Sequence, residues 1–147
     1  MSDKPNILIV DDEEVVRRSY TRVLSGAHCH TQSAVNGEEA MRALAREPFD
    51  VVLLDLRMPG QDGITVLRAI KERWPESEVV VITGYPSVET AKEAVRLGAC
   101  DYLAKPVDPD AVIHAARGAV LRKRWALHPV RNGTTHASEA QACGCAC

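Results

Sequence analysis

The chain has 147 residues, enough for one ordinary domain with a real core and little room for a second. A net charge of −2 and an aromatic content of 4% exclude a general pull toward nucleic acid or anionic lipid and a stacking platform for single strands. No apolar run approaches the roughly 20 residues of a bilayer span. Met1-Ser2-Asp3-Lys4-Pro5 lacks the form of a secretory signal, and an odd five cysteines make no disulfide framework, so a cytoplasmic, reducing setting is expected.

Asn6 to Val10 reads as a first apolar strand, ending in Asp11 and Asp12. Glu13 and Glu14 follow, where a helix N-terminus favours acids. Val16, Tyr20, Val23 and Leu24 recur at helical spacing, and Gly26 suits the stop. His28 to Ala34 predicts a weak second strand at an edge. Asn36-Gly37 opens a short helix with Ala40, Met41, Leu44 and Ala45 on one face, ended by Pro48.

Val51-Val52-Leu53-Leu54 is a strand buried on both faces, as in parallel sheets, and it ends abruptly at Asp55. Met58-Pro59-Gly60 then breaks the strand. Gly63 leads into a third helix carrying Ile64, Leu67 and Ile70, closed near Trp74-Pro75. Val79 to Ile82 is another doubly buried strand, ending at Thr83. Ser87 caps a fourth helix, with Ala91, Ala94 and Val95 inward and Gly98 as its stop. Asp101 to Ala104 is a fifth strand running into Lys105-Pro106. Asp108-Pro109-Asp110 starts a last helix carrying Val112, Ile113, Ala116, Val120 and Leu121. From about His128 the pattern dissolves, so residues 1–127 are expected to form the domain and 128–147 a flexible tail.

Alternating strands and helices predict an α/β fold: a parallel sheet with helices on both faces and right-handed crossovers. In such sheets the carboxyl ends of the strands form the ligand-binding rim. That rim carries Asp11, Asp12, Asp55, Thr83 and Lys105. Each residue alone has an ordinary explanation: acids cap turns and helices, threonine favours strands, and lysine is a common surface charge. Together they suggest more. Clustered carboxylates need a cation or protonation; a hard, oxygen-seeking ion such as Mg²⁺ suits them, and zinc, without His or Cys nearby, does not. Lysine and a hydroxyl suit an anion, so the set suggests a phosphoryl group held on Asp55 as an aspartyl-phosphate.

On these residues the chain resembles the receiver domain of bacterial two-component response regulators, over about Asn6 to Leu127. Val10-Asp11-Asp12 matches the family's acidic pair and Asp55 its phosphoacceptor. Met58-Pro59-Gly60 with Asp62-Gly63 matches the following loop, and Thr83-Gly84 the switch hydroxyl and its small neighbour. Tyr102 matches the switch aromatic, and Lys105-Pro106 the lysine before a cis proline. The resemblance implies a flavodoxin-like, doubly wound, five-stranded sheet of order 2-1-3-4-5. It implies Mg²⁺ held by Asp12, Asp55 and the backbone carbonyl of Arg57, with Asp11 supporting through water. It also implies that the phosphoryl donor is a phosphohistidine on a histidine kinase or phosphotransfer protein. The implied switch is that, on phosphorylation, Thr83 would turn inward and Tyr102 would rotate from solvent into the vacated space. By the same resemblance, Arg57 and Tyr85 are expected to flank the phosphoryl group and tune its hydrolysis.

A phosphoacceptor rather than a turnover enzyme is expected. An aspartyl-phosphate hydrolase needs an acid two residues after Asp55, where Arg57 stands. The chain stops soon after the last helix, so a stand-alone receiver with a downstream protein partner, or a phosphorylation-dependent homodimer, is expected; the alternative is the receiver of a transcription regulator whose output domain lies elsewhere. No direct nucleic-acid contact is expected. Arg122-Lys123-Arg124 reads as helix-end cations, His28 and His30 as neighbours on one face of an edge strand, and Cys29 and Cys100 as small core residues. Cys143, Cys145 and Cys147 do not match the Cys-a-a-X lipidation pattern and are read as part of an exposed tail.

Overall fold

The computed structural model describes residues 4–127. Five strands form one parallel sheet: β1 (Asn6–Val10), β2 (His30–Ala34), β3 (Val51–Leu54), β4 (Glu78–Thr83) and β5 (Asp101–Ala104). Their order is β2-β1-β3-β4-β5, the flavodoxin-like arrangement expected. The helices between them are α1 (Glu14–Gly26), α2 (Gly37–Arg46), α3 (Gly63–Arg73) and α4 (Val88–Arg96), with α5 (Pro109–Leu127) last. A small antiparallel hairpin, Arg57–Met58 with Gln61–Asp62, follows β3. No helix among the described residues is long and apolar enough to cross a membrane.

Alternation along each central strand splits the core in two. Leu8, Val10, Val52, Leu54, Val79 and Val81 face α2, α3 and α4, packing on Leu44, Leu67, Ile70 and Ala94. Ile7, Ile9, Leu53, Val80 and Ile82 face α1 and α5, packing on Tyr20, Leu24, Ala116 and Ala119. A strand apolar at every position must be covered on both sides, which is why these sequences demand two helical layers.

Local signals set the helix starts. Asn36 accepts a hydrogen bond from the N–H of Glu39, Asp62 from Ile64, Ser87 from Thr90, and Asp108 from Ala111. Each side chain satisfies a first-turn donor that has no partner within its helix.

Three expectations need correction. β2 begins at His30, because Ala27 and His28 complete the end of α1 with bonds to Leu24 and Ser25. His28 adopts a left-handed φ of 65°, so it and His30 do not share a strand face. Val95 is 63% exposed and Leu121 59% exposed, and Ala45 is also outward. Ala94 is buried as expected and Ala43 is buried in place of Ala45, since the apolar stripe of a short amphipathic helix is narrow. The terminal cysteines and the expected tail lie outside the described residues.

Candidate functional site

The sheet ladder carries the acids to one edge. Beyond β1, the N–H of Asp11 bonds the carbonyl of Ala34; beyond β3, the N–H of Asp55 bonds the carbonyl of Val10. Neighbouring strands thus deliver their terminal carboxylates side by side. Asp11 and Asp55 are buried and Asp12 is exposed, with one carboxylate oxygen of each lying within 4.8 Å of the others. At such spacings two carboxylates repel by roughly 4 kcal/mol at an effective dielectric near 20.

Lys105 answers that charge. β5 ends beside β4, where the N–H of Lys105 bonds the carbonyl of Thr83, and the peptide Lys105–Pro106 is cis, as the resemblance implies. Its ammonium donates to Asp11 Oδ2 at 2.8 Å and to Asp55 Oδ2 at 3.1 Å, with Glu13 Oε1 at 3.7 Å. Burial works against the ammonium, but the hydrogen bonds and charges of Asp11 and Asp55 outweigh it and hold the Lys105 pKa above its ordinary value. Burial pushes the Asp55 carboxyl up, against the N–H of Arg57 and the ammonium of Lys105, which pull it down.

The acids open into a cavity of about 440 Å³, lined by Asp12, Glu13, Asp55, Arg57, Met58, Pro59, Gly84, Tyr85 and Lys105. Access to Asp55 is therefore from solvent, past a rim of charge. The Arg57 guanidinium carbon sits 3.8 Å from the centroid of the Tyr85 ring, forming one wall. Gly63 makes the turn of this loop possible: a Cβ there would lie 2.3 Å from the Leu56 Cα.

Thr83 is buried, and its hydroxyl accepts from the N–H of Tyr85 at 3.2 Å. Tyr102 differs from the expected solvent-facing start. It is half-buried, packed against the core, and its hydroxyl lies 2.6 Å from Thr90 Oγ1. The N–H of Ser87 also donates to it, at 3.3 Å.

Sequence reading missed several participants. Glu13 was legible only as a helix-start acid, although it approaches Lys105. Arg17 donates to the backbone carbonyl of Asp11 at 2.8 Å, and no local pattern marks it. Nothing in the order of residues pairs Thr90 with Tyr102. At the opposite end of the central strands from the acids, Lys123 bonds Asp50 at 2.9 Å and Arg122 lies 3.8 Å from Glu78, so these two cations fasten α5 to the sheet.

The donor set fits a hard divalent ion: three clustered carboxylates, all oxygen, beside a cavity open to phosphate and water.

Residues 7–117 match the response regulator receiver domain family. The chain is 45% identical over 101 residues to the response regulator protein PilR of Pseudomonas aeruginosa, covering 69% of this chain and 23% of PilR. It is 38% identical over 114 residues to the DNA-binding transcriptional regulator NtrC of Escherichia coli, covering 78% of this chain and 24% of NtrC. It therefore spans about a quarter of the length of these curated relatives. Among solved structures, the receiver domain of NtrX from Brucella abortus superimposes with a TM-score of 0.74 at 36% identity, covering 78% of this chain and 98% of that one. With the acidic rim, the opposed lysine and the sheet order already in place, this match makes the chain a member of the response regulator receiver domain family of two-component signalling.

Proposed function

We propose that this chain accepts a phosphoryl group on Asp55 from a phosphohistidine of a histidine kinase or phosphotransfer protein. The observation that carries the reading is the Lys105 ammonium, 3.1 Å from Asp55 Oδ2 at the floor of an open cavity. In the transfer, an Asp55 carboxylate oxygen forms the O–P bond as the P–N bond breaks, and its electron pair stays with the imidazole. Lys105 faces the negative charge spread over the phosphoryl oxygens, and positioning with charge neutralisation is most of what such transfer requires.

Asp11, Asp12, Asp55 and the backbone carbonyl of Arg57 would hold Mg²⁺. When bound, that ion supplies positive charge to offset the carboxylates and phosphoryl oxygens. The chain acts as an acceptor and not as a turnover enzyme, with Arg57 where a hydrolase would carry an acid. Adding about −1.5 to −2 charges at Asp55 draws the Thr83 hydroxyl toward it and repositions Tyr102, changing the surface between α4 and β5. That surface meets a downstream protein or a second copy of the chain.

The test is labelling by acetyl phosphate with Mg²⁺, read by intact-mass spectrometry. The parent is expected to gain one phosphoryl group and Asp55→Asn none; robust labelling of Asp55→Asn overturns the assignment. A second reading, the receiver of a longer transcription regulator, is supported by relatives of which this chain spans about a quarter. A coding frame continuing past Cys147 into an output domain is expected on that reading, and a stop codon there overturns it.

A further inference from the structure

We propose that Thr90 is a positioning residue for the switch aromatic: its hydroxyl latches Tyr102 to the first turn of α4 before any phosphoryl group arrives. The geometry is a closed set of hydrogen bonds. Thr90 Oγ1 lies 2.6 Å from the Tyr102 hydroxyl, 2.8 Å from Ser87 Oγ and 3.2 Å from the Ser87 carbonyl. Ser87 Oγ accepts from the N–H of Thr90 at 3.1 Å, and the N–H of Ser87 reaches the Tyr102 hydroxyl at 3.3 Å.

One arrangement of the protons makes every one of these contacts a hydrogen bond. A threonine hydroxyl has one proton and two lone pairs. The Ser87 carbonyl, which also accepts from the N–H of Ala91, can only accept, so with every contact formed together the Thr90 proton goes there. Tyr102 and Ser87 then each donate to Thr90 Oγ1, filling both lone pairs. Tyr102 has spent its proton on Thr90 and accepts from the Ser87 N–H. Every hydroxyl in the set is satisfied, and all of them depend on the oxygen of Thr90.

The consequence reaches beyond one side chain. Tyr102 belongs to β5 and Ser87 to the cap of α4, so the set fastens a strand to the start of the neighbouring helix. Ser87 lies four residues after Thr83, whose hydroxyl is held by the Tyr85 N–H within the same short connection. Moving Thr83 therefore pulls on the segment that carries one end of the latch. Tyr102 cannot leave its half-buried position without releasing Thr90 and Ser87, so Thr90 sets how readily the α4 start and β5 separate. This role of the latch in switching rests on the proposed phosphoryl transfer; its presence in the unmodified protein does not.

The experiment uses the full chain labelled with fluorotyrosine, the Tyr102 resonance being identified by its loss in Tyr102→Phe, together with amide hydrogen exchange at Ser87 and Thr90. Without any phosphodonor, Thr90→Val is expected to shift the Tyr102 resonance toward its solvent-exposed value and to speed exchange at the α4 start by about tenfold. Thr90→Ser keeps the oxygen and is expected to match the parent. Tyr102→Phe should speed the same exchange, with little further effect when combined with Thr90→Val. An unmoved resonance with unchanged exchange in Thr90→Val, or failure of Thr90→Ser to restore the parent, overturns the latch. Acetyl phosphate labelling of the same samples reports separately on Asp55: an unlabelled parent would defeat phosphoryl transfer while leaving the latch result intact.

Discussion

Arg57 is stacked on Tyr85, its guanidinium carbon 3.8 Å from the ring centroid, and both side chains line the cavity above Asp55. One residue follows β3 and the other follows β4, so the pair bridges two loops at the mouth of the site. A cation–π contact at such an exposed position is worth about 0.5–1 kcal/mol. Removing either partner frees the other and widens the approach for water. Arg57→Ala and Tyr85→Ala are each expected to shorten the phosphoryl lifetime about two- to fivefold, and the double variant to do little more than one alone. Decay of labelled protein, followed by mass spectrometry, measures this; unchanged half-lives end the idea.

The charge on Asp55 makes a prediction for the metal-free protein. Its folded pKa is raised above the ordinary 3.8, mainly by burial. A raised folded pKa contributes stability only below the unfolded value, and that contribution is lost as pH climbs through the folded one. At about pH 7 the ionised carboxylate therefore costs stability. Asp55→Asn removes that cost while Lys105 keeps Asp11 at 2.8 Å. In chelator at neutral pH the variant should melt above the parent, the gap closing as pH falls toward the ordinary carboxylate range. A variant that melts lower at neutral pH contradicts the reading. Lys105, whose pKa is also raised, adds stability that is complete below 10.5 and is lost as pH rises through its folded value.

Mg²⁺ should stabilise the fold through the same acids. Ligand at a hundred times its dissociation constant adds about 2.7 kcal/mol, which corresponds to roughly 5–10 °C in a domain of this size. Asp12 is exposed, so Asp12→Ala should fold normally and lose most of the rise. Melting curves in EDTA and in Mg²⁺ decide it; an equal rise in Asp12→Ala would remove that residue from the ligand set.

Gly63 and Gly118 should respond in opposite directions to alanine. A Cβ at Gly63 would meet the Leu56 Cα at 2.3 Å and its carbonyl oxygen at 2.5 Å, so backbone must move. Gly63→Ala is expected to lose about 1–3 kcal/mol and to slow labelling, because Leu56 directly follows Asp55. Gly118 lies within α5, where an added methyl would meet nothing inside 4 Å, and Gly118→Ala should gain about 0.4–1 kcal/mol. Urea melts of both variants provide the comparison, and equal effects would refute it.

The site was legible wherever chemistry sits at the end of a strongly apolar strand. Val10 before Asp11 and Leu54 before Asp55 mark both the strand and its terminus, and a parallel sheet places all such termini on one rim. Partners brought together by crossovers were not legible. Val95 was expected inward alongside Ala94 because helical spacing alone does not choose between two adjacent apolar residues; the narrow contact of α4 with the sheet buries Ala94 and leaves Val95 exposed. His28 was read into β2 because no residue type there announces that the end of α1 extends through a left-handed turn.

By itself the sequence determined the layered α/β architecture, the two-sided burial of β3 and β4, and the identity of the acids, hydroxyl and lysine on the rim. Those follow from alternation and burial, which act over a few residues. Only the tertiary structure decided that Lys105 bridges Asp11 and Asp55, that Arg57 covers Tyr85, and that Tyr102 is held by Thr90. These contacts join residues 12 to 94 positions apart, and their distances are set by how the helices pack on the sheet, which no local pattern encodes.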